Sequence, residues 1–281
     1  LKEGELRFSF GQVSSFYGLG TGNQNYLGQM DYGLTKGFGV GLFYSHSDDP
    51  LQSEISSLDY QPSNRWISYG ASFYRQILQV NQTKVSLVSS FENWNVKSGG
   101  CNLFRCTSVS NNMFNSSLNE VENDNFVSTI SLPITWTASK KLKATITPRA
   151  IFLPSSQGNS DGSGDFYGNN LGLGLGFEYN PFNRINAFTS IYIPFGDGYN
   201  SFDSNLNFER NSIYTTGITY SLDTKIAIEA SLTNSFGKSP ATSILTIPRS
   251  NESLYAINLI YRPMNYDLAK ISKINQEDIS K

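Results

Sequence analysis

Along most of this chain apolar and polar residues alternate one for one. Leu142, Ala144, Ile146, Pro148, Ala150 and Phe152 share one parity, and Lys141, Lys143, Thr145, Thr147 and Arg149 the other. The same pattern sets Leu171, Leu173, Leu175, Phe177 and Tyr179 against Gly172, Gly174, Gly176 and Glu178. Further along, Ile226, Ile228, Ala230 and Leu232 oppose Ala227, Glu229, Ser231 and Thr233. A period of two sends successive side chains to opposite faces of a strand. Carried through the chain, the pattern predicts about twelve strands. Their spans are 4–12, 25–34, 37–47, 65–78, 83–97, 125–138, 140–152, 169–180, 183–195, 211–222, 224–236 and 253–262. Most are longer than the roughly 5–6 residues of soluble sheets, and suit the roughly 9–11 residues of a tilted membrane strand.

The connections carry a second pattern. Very short turns at Thr35-Lys36, Ser139-Lys140, Pro181-Phe182 and Asp223-Thr224, and a slightly longer one at Gln79–Thr83, alternate with long polar loops near 13–24, 48–64, 98–124, 153–168, 196–210 and 237–252. An up-and-down barrel inserted from one side has tight turns inside and longer loops outside. The expected fold is therefore all-β, an antiparallel transmembrane barrel with short periplasmic turns and long extracellular loops. Residues 1–262 form the barrel and 263–281 a polar tail, periplasmic or disordered. No second domain is expected.

Composition decides which face looks where. The 281 residues carry 21 Lys+Arg against 23 Asp+Glu, only 16% charged, with a mean hydropathy of −0.31. A pI near 5.5 argues against nucleic-acid binding, and no apolar run of about 18 residues exists to make a membrane helix. About eight strands already enclose just enough room for side chains, so twelve enclose more than Leu, Ile and Val can fill. The apolar parity is therefore assigned to lipid and the polar parity to an enclosed aqueous interior. Arg7, Asp31, Glu92, Lys143, Arg149, Glu178 and Glu229 then line the lumen, with mixed signs.

Aromatics recurring at strand ends (Tyr26, Phe38, Tyr44, Trp136, Phe152, Tyr179, Phe195, Tyr214, Phe236 and Tyr261) suit interfacial girdles. Arg75 is an exception on the lipid face, near a turn where it can snorkel. Pro133 and Pro148 each remove a ladder donor in neighbouring strands and predict a bulge or kink there. Acids predominate in the long loops and bases (Lys36, Lys84, Lys140, Lys141, Arg184, Lys225) at the turns, although loop charge is expected of any fold.

The chain thus resembles a bacterial outer-membrane β-barrel of the twelve-stranded size class. The last strand, Ala256-Ile257-Asn258-Leu259-Ile260-Tyr261, looks like the C-terminal insertion signal of such barrels, although here a tail follows. The segment Gly18–Tyr26 is faintly similar to uncharacterised cyanobacterial outer-membrane proteins. The resemblance implies a cell outer-membrane location and a lipid bilayer as partner.

Candidate chemistry is sparse. A polar, mixed-charge lumen points to a passive or weakly selective channel for small polar solutes or ions. Gly172, Gly174 and Gly176 leave pore space, or mark strong strand curvature, or lie beneath an aromatic ring of the next strand. A second reading is a structural, anchoring or autotransporter-type barrel. A third is an outer-membrane phospholipase, whose motif His46-Ser47-Asp48-Asp49 and Ser63-Asn64-Arg65-Trp66 partly resemble, but Asp48 stands where the nucleophile belongs. The chain is therefore expected not to be an enzyme, with no cofactor, no metal and no nucleic acid. Cys101 and Cys106 lie in one polar loop, and a disulfide is expected between them. Its short ring contributes about 2 kcal/mol.

Overall fold

The structure, a computed structural model, describes residues 2–14, 24–48, 64–98, 121–152, 169–202, 208–235, 237–246 and 253–264. The strands are β1 (Leu6–Ser14), β2 (Gln24–Thr35), β3 (Phe38–Asp48), β4 (Asn64–Val80), β5 (Thr83–Ser98), β6 (Val121–Ser131), β7 (Ile134–Thr137), β8 (Leu142–Phe152), β9 (Asn169–Phe182) and β10 (Ile185–Phe195). They continue as β11 (Ser201–Phe202), β12 (Phe208–Glu209), β13 (Ile213–Ser221), β14 (Ile226–Thr233) and β15 (Leu254–Met264). Each barrel strand pairs antiparallel with its neighbours in sequence, and β1 pairs with β15 to close the ring. β11 and β12 form a separate small hairpin. Closure leaves no unpaired edge, the condition for a sheet to stand in hydrocarbon.

β6 and β7 are two halves of one stave, so the ring has twelve. The interruption is Leu132-Pro133, opposite Pro148 of β8. Register on β8 is the same on both sides of it, Ser131 facing Arg149 and Ile134 facing Ile146. No residue is inserted, so this is a lost ladder contact rather than a bulge. Leu132 N donates to Pro148 O at 3.0 Å, and Ser86 N to Pro133 O at 3.0 Å, which keeps the remaining groups satisfied.

Short turns follow local chemistry. Gly37 (φ 85°) and Asn81 (φ 49°) take the left-handed conformation that a tight hairpin needs. At the β13–β14 turn the Asp223 carboxylate accepts from the backbone N–H of Lys225 (2.6 Å) and Ile226 (2.7 Å). These two bonds hold its carboxyl below the ordinary carboxylate range. The turn between β9 and β10 falls at 183–184, beyond the expected Pro181-Phe182, because β9 runs through Phe182.

Side chains divide as the alternation demands. Phe10, Leu42, Tyr69, Phe126, Ile146, Phe177, Ile218 and Ile257 are exposed on the outer face, an apolar jacket running around the ring. Tyr44, Trp136, Phe152, Tyr179, Phe195 and Tyr261 are exposed towards strand ends, as girdle residues are. Phe236 lies outside the described residues. Arg75 is exposed on the outer face, near the turn end of β4.

Two boundaries moved. β14 stops at Thr233, short of the expected 236, because the Asn234 side chain takes over the ladder. Its Oδ1 accepts from Tyr214 N (2.7 Å) and its Nδ2 donates to Ser212 O (2.9 Å). β15 runs to Met264, and 265–281, most of the expected tail, lies outside the described residues.

Candidate functional site

The lumen holds more than wall side chains. After β14 the chain turns inward through Gly237–Thr246, with a single 3-10 turn, η1, at Thr242–Ile244. Ser239, Ala241, Thr242, Ile244, Leu245 and Thr246 are all buried. The sequence pattern expects this stretch to be part of an external polar loop. It goes inside because Ile244 and Leu245 find cover there and its polar groups find partners. Ser239 sets the local turn. Its Oγ accepts from Thr242 N (3.2 Å), and Ser239 N donates to Thr242 Oγ1 (3.1 Å).

The principal partner is Glu92 of β5. Its Oε2 accepts from Ser239 Oγ at 2.6 Å, Ser68 Oγ at 2.8 Å and Trp94 Nε1 at 2.9 Å. Its Oε1 accepts from Ala241 N at 2.6 Å. The carboxylate is fully buried, and such a group is tolerated only when it is hydrogen-bonded this thoroughly. In the twelve-stave ring β5 lies six staves from β14 counted either way. The loop leaving β14 therefore crosses the whole bore to reach Glu92.

Two further contacts brace it. Arg149 Nη1 on β8 donates to Ser243 Oγ at 3.1 Å, and Lys238 Nζ lies 3.9 Å from Glu229 Oε1 on β14. From the β10–β13 connection, Asn200 Nδ2 donates to Ile244 O (2.8 Å) and Thr246 N donates to Asn200 O (3.0 Å).

Of the residues expected to line the lumen, Arg7 and Asp31 form an ion pair at 2.7 Å, with Gln29 Nε2 donating to the other Asp31 oxygen at 2.8 Å. Lys143 and Glu178, facing each other in register, pair at 3.2 Å. Glu92, Arg149 and Glu229 meet the crossing loop. Lys238, Ser239, Ser243 and Asn200 were not anticipated. The signal available was Ile244-Leu245, an apolar pair in a stretch otherwise polar.

The interior is also less uniformly polar than the alternation implies. Phe43, Trp66, Trp94, Val127, Ile151, Tyr192 and Ile213 are buried inside it. Trp66 and Trp94 meet edge to face with centroids 5.1 Å apart. The open question over the glycines divides by position. A Cβ at Gly172 would overlap the Tyr192 ring, over which the Arg149 guanidinium also sits at 5.7 Å. A Cβ at Gly174 or Gly176 would meet only ordinary contacts. Gly172→Ala is therefore expected to displace Tyr192 and cost about 1–3 kcal/mol in urea unfolding from micelles, with Gly176→Ala near neutral.

Glu92→Ala leaves four donors without their acceptor. The expected outcome is release of the loop, read as faster tryptic cleavage after Lys238 by about tenfold. Unchanged cleavage would mean that Glu92 does not hold it.

His46 points outward between Tyr26 and Ile67, while neighbouring Ser47 is buried on the inner face. The side chain of Asp48 and residue Ser63, on which the rest of the phospholipase resemblance falls, lie outside the described residues. Cys101 and Cys106 lie outside the described residues. No group of three potential metal ligands occurs among the described residues.

No family profile matches the sequence, and no curated protein matches it. Solved structures do match in fold. The KdgM porin is similar at a TM-score of 0.50 and 9% identity, covering 92% of this chain and 98% of its own. The NanC porin aligns at 0.48 and 13%, covering 92% and 100%, and Omp33 of Acinetobacter baumannii at 0.42 and 11%, covering 92% and 98%. This chain is an outer-membrane-type β-barrel of twelve strands. Its outer apolar jacket requires lipid, which together with this fold is consistent with the cell outer membrane.

Proposed function

We propose that this barrel is a channel for small polar solutes, weakly selective by charge and throttled by its own β14–β15 loop. The observation that carries this reading is the crossing of the bore by Gly237–Thr246, tied to Glu92 opposite. A barrel serving only as an anchor needs no such device. Among the described residues, lumen charges of opposite sign stand together, Arg7 with Asp31 and Lys143 with Glu178, which favours weak rather than strong selection by charge. The same reading makes the protein a passive conduit rather than an enzyme.

Single-channel recording of the purified barrel in a planar bilayer tests it. Small, nearly non-selective conductance is the expected result. A barrel that stays silent both as wild type and with its loop cut is an anchor, and the proposal fails. The Cys101–Cys106 disulfide remains part of the proposal, and a two-dalton mass gain on reduction is its check.

A further inference from the structure

Beside the crossing loop the lumen contains a cavity of about 270 Å³. Its wall comes from five consecutive staves, β2, β1, β15, β14 and β13, and its cover from the loop itself. Leu27 and Gly237 aside, the lining side chains are polar. Ser9, Thr215, Ser231, Thr233, Ser235 and Ser243 supply hydroxyls, and Gln29 and Asn258 carboxamides. Among the described lining residues the charged ones are Glu229 and Lys238, loosely paired at 3.9 Å.

Several of these groups are already engaged. Thr215 Oγ1 and Thr233 Oγ1 share a 2.8 Å bond, Ser235 Oγ donates to Gly237 O, and Gln29 donates to Asp31. Ser9, Ser231 and Asn258 have no side-chain hydrogen bond among the described residues. They stand close together on the wall, since Asn258 is in register with Gly11 and Glu229, and Ser231 with Ala256. Free hydroxyl and amide groups, both donors and acceptors, therefore converge on one space next to a neutral ion pair.

We infer that this cavity, built from Ser9, Ser231, Asn258 and the Glu229–Lys238 pair, is a binding subsite for a neutral polyhydroxylated solute of monosaccharide size. This rests on the channel reading and names the solute class for it. An array of hydroxyls and carboxamides matches a polyol, each hydroxyl of which both donates and accepts. An acidic sugar needs surplus positive charge, and here Lys238 is balanced by Glu229. Binding must be weak enough for release, on the order of 1 mM.

The experiment is titration calorimetry of the detergent-solubilised barrel with D-glucose, D-glucuronate and glycine, run beside bilayer conductance. Saturable glucose binding, weakened at least tenfold in Asn258→Leu and in Ser231→Ala, is expected. Heat-modifiable gel mobility checks that both variants stay folded. Ser231→Ala removes only a hydroxyl, so it retains the test if the larger change disturbs the barrel. Glucuronate or glycine binding more tightly than glucose overturns the solute class. Absence of saturable glucose binding in a barrel that conducts overturns the subsite and leaves the channel standing. Saturable binding in a barrel that does not conduct sustains the subsite and sinks the channel instead.

Discussion

Replacing Gly237–Thr246 with a short Gly-Ser linker is expected to raise the single-channel conductance several-fold. The segment spans the bore from β14 to β5, and its buried Ala241, Ile244 and Leu245 occupy volume that water and ions would otherwise fill. An apolar constriction also opposes wetting, so its removal acts on conductance beyond simple widening. The double change Glu92→Ala with Ser239→Ala attacks the same feature without shortening the chain. It removes the 2.6 Å bond at both ends, and its conductance should flicker between the wild-type and the open level. Equal conductance in all three proteins would show that the loop does not limit flow.

The second large effect concerns the outer surface. Ile218 and Thr219 are neighbours on β13 with opposite outlooks: Ile218 is 53% exposed on the outer face, and Thr219 Oγ1 donates to Glu229 inside at 3.5 Å. Ile218→Arg should cost about 2–4 kcal/mol in folding into vesicles, as charge does near the bilayer midplane. Thr219→Arg puts the same side chain into the polar lumen beside a carboxylate and should cost far less. Reversible urea titration in vesicles measures both. Similar losses would mean that the two faces do not see different solvents.

The staves and their sides were legible because both depend on local alternation. Parity alone separates Ile146 from Thr147, and one period of chain reveals it. The mid-strand interruption was legible for the same reason, since Pro133 removes a donor wherever it sits. The crossing loop was not, because what draws it inward lies far off in sequence. Glu92 and Ser239 are 147 residues apart, and nothing near either one announces the other. The polar cavity was hidden more deeply. Ser9 and Gln29 come from the start of the chain and Asn258 from its end, and they meet only where β1 closes on β15. The inner apolar residues also escaped the alternation. Phe43, Ile151 and Ile213 occupy the polar parity and are buried there.

The three tryptophans offer the most direct test of which face meets lipid. Trp136 is half exposed on the outer face, whereas Trp66 and Trp94 are buried within the lumen. Single-tryptophan variants, with phenylalanine at the other two positions, can be reconstituted into vesicles brominated along the acyl chains. Strong quenching of Trp136 with Trp66 and Trp94 unaffected is the predicted result. Quenching of Trp94 equal to that of Trp136 would contradict the assignment of sides on which the barrel, its lumen and its loop all depend.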